Sequence, residues 1–271
     1  MIGQREVITK IFGQIERGKF PRFSILIGES GGGKKTLAKE ISNKLGVSSV
    51  IIGTTVDNIR GCIEDSYKLV DPMVYIIADC DNMSSAAANA LLKVTEEPPQ
   101  QAYFILTCEN LENLLPTIKS RGVTYMLEPY SYEDKCDYLS VCSKQLSEED
   151  ETFILDVATN IGDLKMFMDI DVAEFRNYVI LVIDNIAKVQ GSNAFKIGDK
   201  ISLKEDNKYD LRLFWKAFIC LCVDRMVGED AIKYAVAVAM TGNALQQLSI
   251  KGINKDMLFS TWVLDIRSEW L

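Results

Sequence analysis

The sequence predicts an α/β unit on a parallel sheet, followed by an all-helical remainder. Three observations predict it. A short apolar run, Phe23–Ile27, ends in a glycine cluster at residues 28–33, and a helical pattern opens at Lys34. Two more short apolar runs, residues 74–77 and 102–106, flank a helix-length stretch. Strand, helix, strand with short apolar strands is the pattern of a parallel sheet covered on both faces. Past Glu128-Pro129 the apolar residues recur at helical spacing, with little convincing strand. The 271 residues suffice for two compact units, or three small ones.

The elements follow in order. Val7, Ile8, Ile11, Phe12 and Ile15 share one face of a first helix. A second helix runs from Lys34 to Leu45. Ser84 or Ser85 caps a third, residues 86–95, which must stop before Pro98-Pro99 and would bury Ala86, Ala87, Ala90, Leu91 and Val94. Ser131 and Ser147, each with an acid three residues on, read as helix starts. Helical stretches are expected at 132–145, 148–161, 163–170, 173–190, 208–227, 229–240, 242–249 and 256–269, with a polar loop over 191–207. Tyr209, Leu213, Phe214, Trp215 and Phe218 read as core or interface packing and carry no chemistry.

Composition excludes several functions. With no His, the chain builds neither a Ser-His-Asp triad nor a Cys-His pair nor a His-ligated zinc site. Its seven Cys contain no C-x-x-C and read as free thiols, mostly filling core; no metal site is expected. Net charge is −8, uneven along the chain: residues 1–128 carry 14 basic and 15 acidic side chains, residues 129–271 carry 16 and 23. Bulk charge therefore gives no hold on a phosphate backbone, and nucleic acid would be met through a local patch or through partner chains. No apolar run is long enough to span a bilayer and no secretory signal pattern opens the chain, so a cytoplasmic protein without membrane partners is expected.

Gly28-Glu-Ser-Gly-Gly-Gly33-Lys34 has the context of a phosphate-binding loop: an apolar strand before it and a helix after it. Gly28, Gly31, Gly32 and Gly33 let backbone N–H groups converge on phosphate oxygens, and Lys34 reaches the outer phosphates. The next residue should be Ser or Thr, whose hydroxyl ligates Mg²⁺. It is Lys35, and Thr36, one position late, points about 100° away. A second departure lies after residues 74–77. A phosphate-loop ATPase ends this strand in Asp, often followed by Glu; here Ala78 holds the Asp position and Asp79 the Glu position. ATP or ADP remains compatible with the loop, whereas Mg²⁺ ligation and hydrolysis are not expected.

These residues, with Ile2-Gly3-Gln4 at the start, Ala88-Asn89-Ala90-Leu91-Leu92-Lys93 leading to Glu96-Glu97-Pro98-Pro99, and Ser120-Arg121, resemble the AAA+ clamp-loader family. Within it the likeness is to bacterial DNA polymerase III delta-prime subunits first and gamma/tau subunits second. The motifs cover residues 1 to about 121. The resemblance implies a RecA-like ATPase domain (1–128), a small helical lid (129–172) and a helical collar (173–271) that joins subunits into a ring. It also implies other AAA+ subunits, a sliding clamp and, through the assembly, primer–template DNA as partners.

The family's Ser-Arg-Cys motif appears as Ser120-Arg121-Gly122, so the resemblance makes Arg121 an arginine finger serving a neighbour's ATP site. It makes Lys165 of Gly162-Asp-Leu-Lys165 a substitute for the lid arginine that senses the γ-phosphate. Lys93 becomes a DNA-facing candidate. The chain thus resembles a non-hydrolysing delta-prime stator: its own site has lost Mg²⁺ ligands while Arg121 survives. Two alternatives stay open, an active gamma/tau-like motor subunit and an AAA+-derived structural or regulatory protein outside replication.

Overall fold

In the computed structural model, residues 2–188, 201–202, 209–248, 250 and 252–270 are described. The chain divides into two compact units, Met1–Ser140 with Asn160–Gly162, and Val141–Thr159 with Asp163–Leu271.

The first unit follows the expected α/β order. Helix α1 (Arg5–Glu16) leads to β1 (Phe23–Ile27), α2 (Lys34–Leu45), β2 (Ser48–Ile52), α3 (Val56–Ser66) and β3 (Met73–Ile77). Then come α4 (Ser85–Glu96), β4 (Ala102–Cys108), the short α5 (Pro116–Lys119), β5 (Val123–Met126) and α6 (Tyr132–Ser140). The five strands form one parallel sheet in the order β2-β3-β4-β1-β5. Strand β1 is fully buried because both faces are covered. Phe23, Ile25 and Ile27 pack with Ile59, Leu91 and Val94 from α3 and α4, while Leu26 packs with Ile11, Leu37 and Ile41 from α1 and α2. Register pairs Ile27 with Cys108 and Ile77 with Leu106, so the loops after β1, β3 and β4 leave the same edge of the sheet. Chain order reverses around β1, and that edge is where open α/β sheets hold ligands.

The structure corrects several expectations. The stretch between α2 and β3, given no elements from sequence, holds β2 and α3. Strand β2 escapes notice because its apolar run is only residues 50–52, behind Ser48-Ser49, and it lies exposed at the sheet edge. Helix α4 begins after Ser84, whose hydroxyl accepts from Ala87 N–H, and it buries Ala88 in place of Ala86. The capped starts at Ser131 and Ser147 are present, each hydroxyl accepting from the N–H of the acid three residues on.

The second unit contains α7 (Glu148–Val157), most of α8 (Ile161–Met168), α9 (Val172–Asn185), α10 (Leu211–Asp224), α11 (Ala231–Gln247) and α12 (Lys255–Trp270). The helices ending at Ser140 and Val157 stop short of the expected 145 and 161. The two helices expected at 229–240 and 242–249 are one, α11. Gly242 sits inside it with open space around its Cα, so its cost is limited to roughly 1 kcal/mol of lost propensity. The loop expected over 191–207 falls outside the described residues except for Ile201–Ser202, which pairs in parallel with Tyr209–Asp210. Tyr209, Leu213, Phe214, Trp215 and Phe218 are all core, and the four aromatic ones make ring contacts with Phe175, Phe259 or Trp262.

Candidate functional site

The loop at residues 28–33 leaves β1 and closes onto α2. Gly31 (φ +77°) and Gly33 (φ +89°) adopt the left-handed conformation that only glycine takes without cost, and Gly33 thereby turns the chain into α2. Every carbonyl of residues 28–32 is engaged by the chain itself. Lys34 is buried and its ammonium donates to Gly28 O (2.6 Å) and Glu29 O (2.8 Å). The Asn160 amide donates to Ser30 O (3.0 Å), the Gly162 N–H to Gly31 O (3.1 Å) and the Tyr130 hydroxyl to Gly32 O (3.2 Å). Burial pulls the Lys34 pKa below its ordinary value, with Glu109, Asp79 and Asp81 acting in the opposite direction.

Lys35 and Asp79 meet across this edge, ammonium to carboxylate at 2.7 Å, both about half exposed. Asp79 is left-handed (φ +58°), one of two non-glycine residues so placed among those described. Its N–H is held by the buried Thr107 hydroxyl (3.0 Å) at the end of β4. Asp81 ties the next loop down, accepting from Glu109 N–H (2.7 Å) and Asn110 N–H (2.9 Å). Thr36 is exposed on α2. The residues present therefore fit a phosphate only through backbone and Lys34, and they do not fit Mg²⁺. Lys35 and Ala78 stand at the two ligand positions, and Asp79 is committed to Lys35. Among the described residues no cluster of His, Cys, Asp or Glu could hold a metal.

Arg121 lies elsewhere on the unit, between α5 and β5. One terminal nitrogen donates to Thr117 O (2.9 Å) and the other to Glu96 Oε1 (2.8 Å). A Cβ at Gly122 would lie 2.6 Å from Ile25 Cδ1 and 3.0 Å from Phe23 Cε1, so a larger residue there needs these side chains to shift. Lys93, exposed on α4, holds its ammonium 5.0 Å from the Tyr67 ring centroid. Lys165 is exposed on α8 in the second unit. The structure thus gathers Gly28, Gly31, Gly32, Gly33, Lys34, Lys35 and Asp79 at one sheet edge and sets Arg121 apart with Glu96. Sequence reasoning gave no role to Thr107, Tyr130, Asn160 or Glu96. Only Glu96 had a local signal, its place in the Glu-Glu-Pro-Pro run.

Known proteins resemble this chain as follows. The family described as "DNA polymerase III, delta subunit" matches residues 54–131. DNA polymerase III subunit gamma of Buchnera aphidicola subsp. Schizaphis graminum (strain Sg) is 29% identical over 170 residues, 51% of this chain and 47% of that protein. DNA polymerase III subunit delta' of Escherichia coli (strain K12) is 36% identical over 95 residues, 35% of this chain and 27% of that protein. The chain spans about half the length of the gamma subunits it matches. A crystal structure of a DNA polymerase III, gamma subunit-related protein from Thermotoga maritima covers 97% of this chain and 99% of its own, at 19% identity and TM-score 0.56. That likeness shows a shared fold and no more.

Proposed function

We propose, on the premise that the chain is a relative of the AAA+ clamp-loader proteins, that it is a clamp-loader subunit of DNA polymerase III that does not hydrolyse ATP and lends Arg121 to a neighbour. The Lys35–Asp79 ion pair carries the reading. A motor subunit needs a hydroxyl and a carboxylate around Mg²⁺; here the hydroxyl position bears an ammonium, and the nearest carboxylate neutralises it. The loop is at the same time held by its own chain at five successive carbonyls, a stiff element rather than one waiting to be ordered by a ligand.

Under this reading, residues 1–128 form the RecA-like domain, 129–172 the lid and 173–271 the collar that joins other AAA+ subunits. Arg121 stabilises charge on a phosphoryl group bound by the adjacent subunit, the role in which an arginine finger accelerates phosphoryl transfer. Lys93 faces DNA held inside the assembly, and the sliding clamp is the object loaded. Lys165 is assigned the lid-sensor position. ATP or ADP could bind only through the backbone and Lys34, without a cation.

Reconstitution tests the proposal. The chain is mixed with an ATP-hydrolysing AAA+ subunit of its own source and the mixture is separated by size. Co-elution, with turnover absent from this chain alone and present in the mixture, supports the stator. The gamma-subunit matches favour a second reading, a motor. Mg²⁺-dependent turnover by this chain alone, abolished by Lys34→Ala, would establish that one instead.

A further inference from the structure

We propose that Glu96 is the positioning residue for Arg121: its carboxylate, with the Thr117 carbonyl, holds the guanidinium in the orientation presented to the neighbouring subunit. The inference rests on the finger reading above and names the device behind it.

Arg121 sits in the link between α5 and β5, with its side chain 35% exposed. An arginine there has many rotamers, and fixing one as it meets a phosphoryl group costs side-chain entropy. The structure meets that cost in advance. One terminal nitrogen donates to Thr117 O, fixed by α5, and the other to Glu96 Oε1 at the end of α4. Two of the guanidinium's five N–H donors are used in this way, and the planar fork is oriented while further donors remain for a ligand. Helix α4 stops at Glu96 ahead of Pro98-Pro99, so the carboxylate stands on the last rigid turn before the chain changes direction. Glu97 follows at the helix end and makes no such contact with Arg121. The first Glu of the Glu-Glu-Pro-Pro run thereby gains a physical role that the second does not share. The pair is exposed and adds little to stability, so its value lies in geometry.

The experiment compares Glu96→Ala, Glu96→Gln and Glu97→Ala, each with Arg121 and with Arg121→Ala. ATP turnover is measured in the assembly with hydrolysing AAA+ subunits, and phenylglyoxal labelling of Arg121 in the isolated chain is followed by mass spectrometry. Glu96→Ala is expected to lower kcat roughly three- to tenfold with the KM for ATP little changed. Glu96→Gln, which keeps an acceptor oxygen, should restore most of it, and Glu97→Ala should match the parent. No Glu96 effect should remain in the Arg121→Ala background, and Arg121 should label several-fold faster in Glu96→Ala. The proposal is overturned by a Glu96→Ala loss that persists undiminished without Arg121, by a Glu96 variant that turns over faster than the parent, or by unchanged labelling. An assembly sensitive to Arg121→Ala and indifferent to Glu96→Ala overturns this proposal alone. An assembly indifferent to Arg121→Ala removes the finger reading and this proposal with it.

Discussion

Replacing Gly31 by Ala tests the closed state of the loop most sharply. Gly31 is left-handed, and a Cβ built on it collides with Asn160 Oδ1 and lies 3.2 Å from Gly162 Cα. Three terms add. The left-handed backbone costs an L residue about 1–2 kcal/mol, partly offset by about 0.4–1 kcal/mol from a stiffer unfolded chain. Asn160 must swing away and give up its bond to Ser30 O, about 1 kcal/mol. The Gly162 backbone cannot rotate aside, and overpacking of this kind costs about 1–3 kcal/mol. The net loss should be about 2–5.5 kcal/mol. Gly18→Ala is the internal control, because Gly18 is also left-handed (φ +65°) with nothing within 4 Å of its Cβ. It isolates the backbone term, about 1.5 kcal/mol or less.

The assay is urea denaturation followed by circular dichroism and by amide exchange of β1 and α2. Tryptophan fluorescence would report the wrong unit, since Trp215, Trp262 and Trp270 all lie in the second. With a urea slope of about 2 kcal/mol per molar, the Gly31→Ala midpoint should fall by roughly 1–3 M. In an Asn160→Ala background the penalty should shrink by about 1 kcal/mol, the part owed to Asn160, while the approach to the Gly162 backbone keeps it above that of Gly18→Ala. Equal costs at Gly31 and Gly18, or no coupling to Asn160, would refute the packed loop.

Other outcomes follow from the same contacts. Thr107→Val should cost about 1–3 kcal/mol, because it strips the Asp79 N–H of its acceptor beside a left-handed residue, and an unchanged urea midpoint would contradict that. Lys35→Thr alone should gain no Mg²⁺-dependent nucleotide binding by calorimetry, while Lys35→Thr with Ala78→Asp should gain it; a gain from the single change would mean that Ala78 is not the limiting position. Stability should fall on the alkaline side. Burial pushes the Cys62 and Cys108 thiols and the Tyr125 phenol up to about 12, so the folded state keeps protons that the unfolded chain releases. That contribution is complete below about pH 9 and is lost as the pH rises toward 12. A urea midpoint flat across that window would contradict it.

The parts legible in sequence were those with a local cause. Strand β1 and helix α2 follow from a five-residue apolar run, a glycine turn and an amphipathic stretch, and both end where expected. Ser84, Ser131 and Ser147 announce helix starts because a cap is a three-residue interaction. Strand β2 was hidden because its apolar residues, 50–52, make a run of only three and lie largely exposed at the sheet edge. Gly242 invited a break that α11 does not make, since a helix tolerates one glycine where its packing carries it. The identity of Lys35 and Ala78 was readable by position. What Lys35 does with its charge was not, because Asp79 lies 44 residues away. The partners of the loop carbonyls were hidden likewise: Tyr130 and Asn160 lie 98 and 130 residues from the atoms they bind.

The most direct test of the account is ATP turnover by the assembled complex, with Arg121→Ala introduced in this chain alone. If the guanidinium serves a neighbour's site, turnover should drop by about tenfold or more while assembly and elution stay unchanged. Full turnover in a properly assembled Arg121→Ala complex would contradict the central claim.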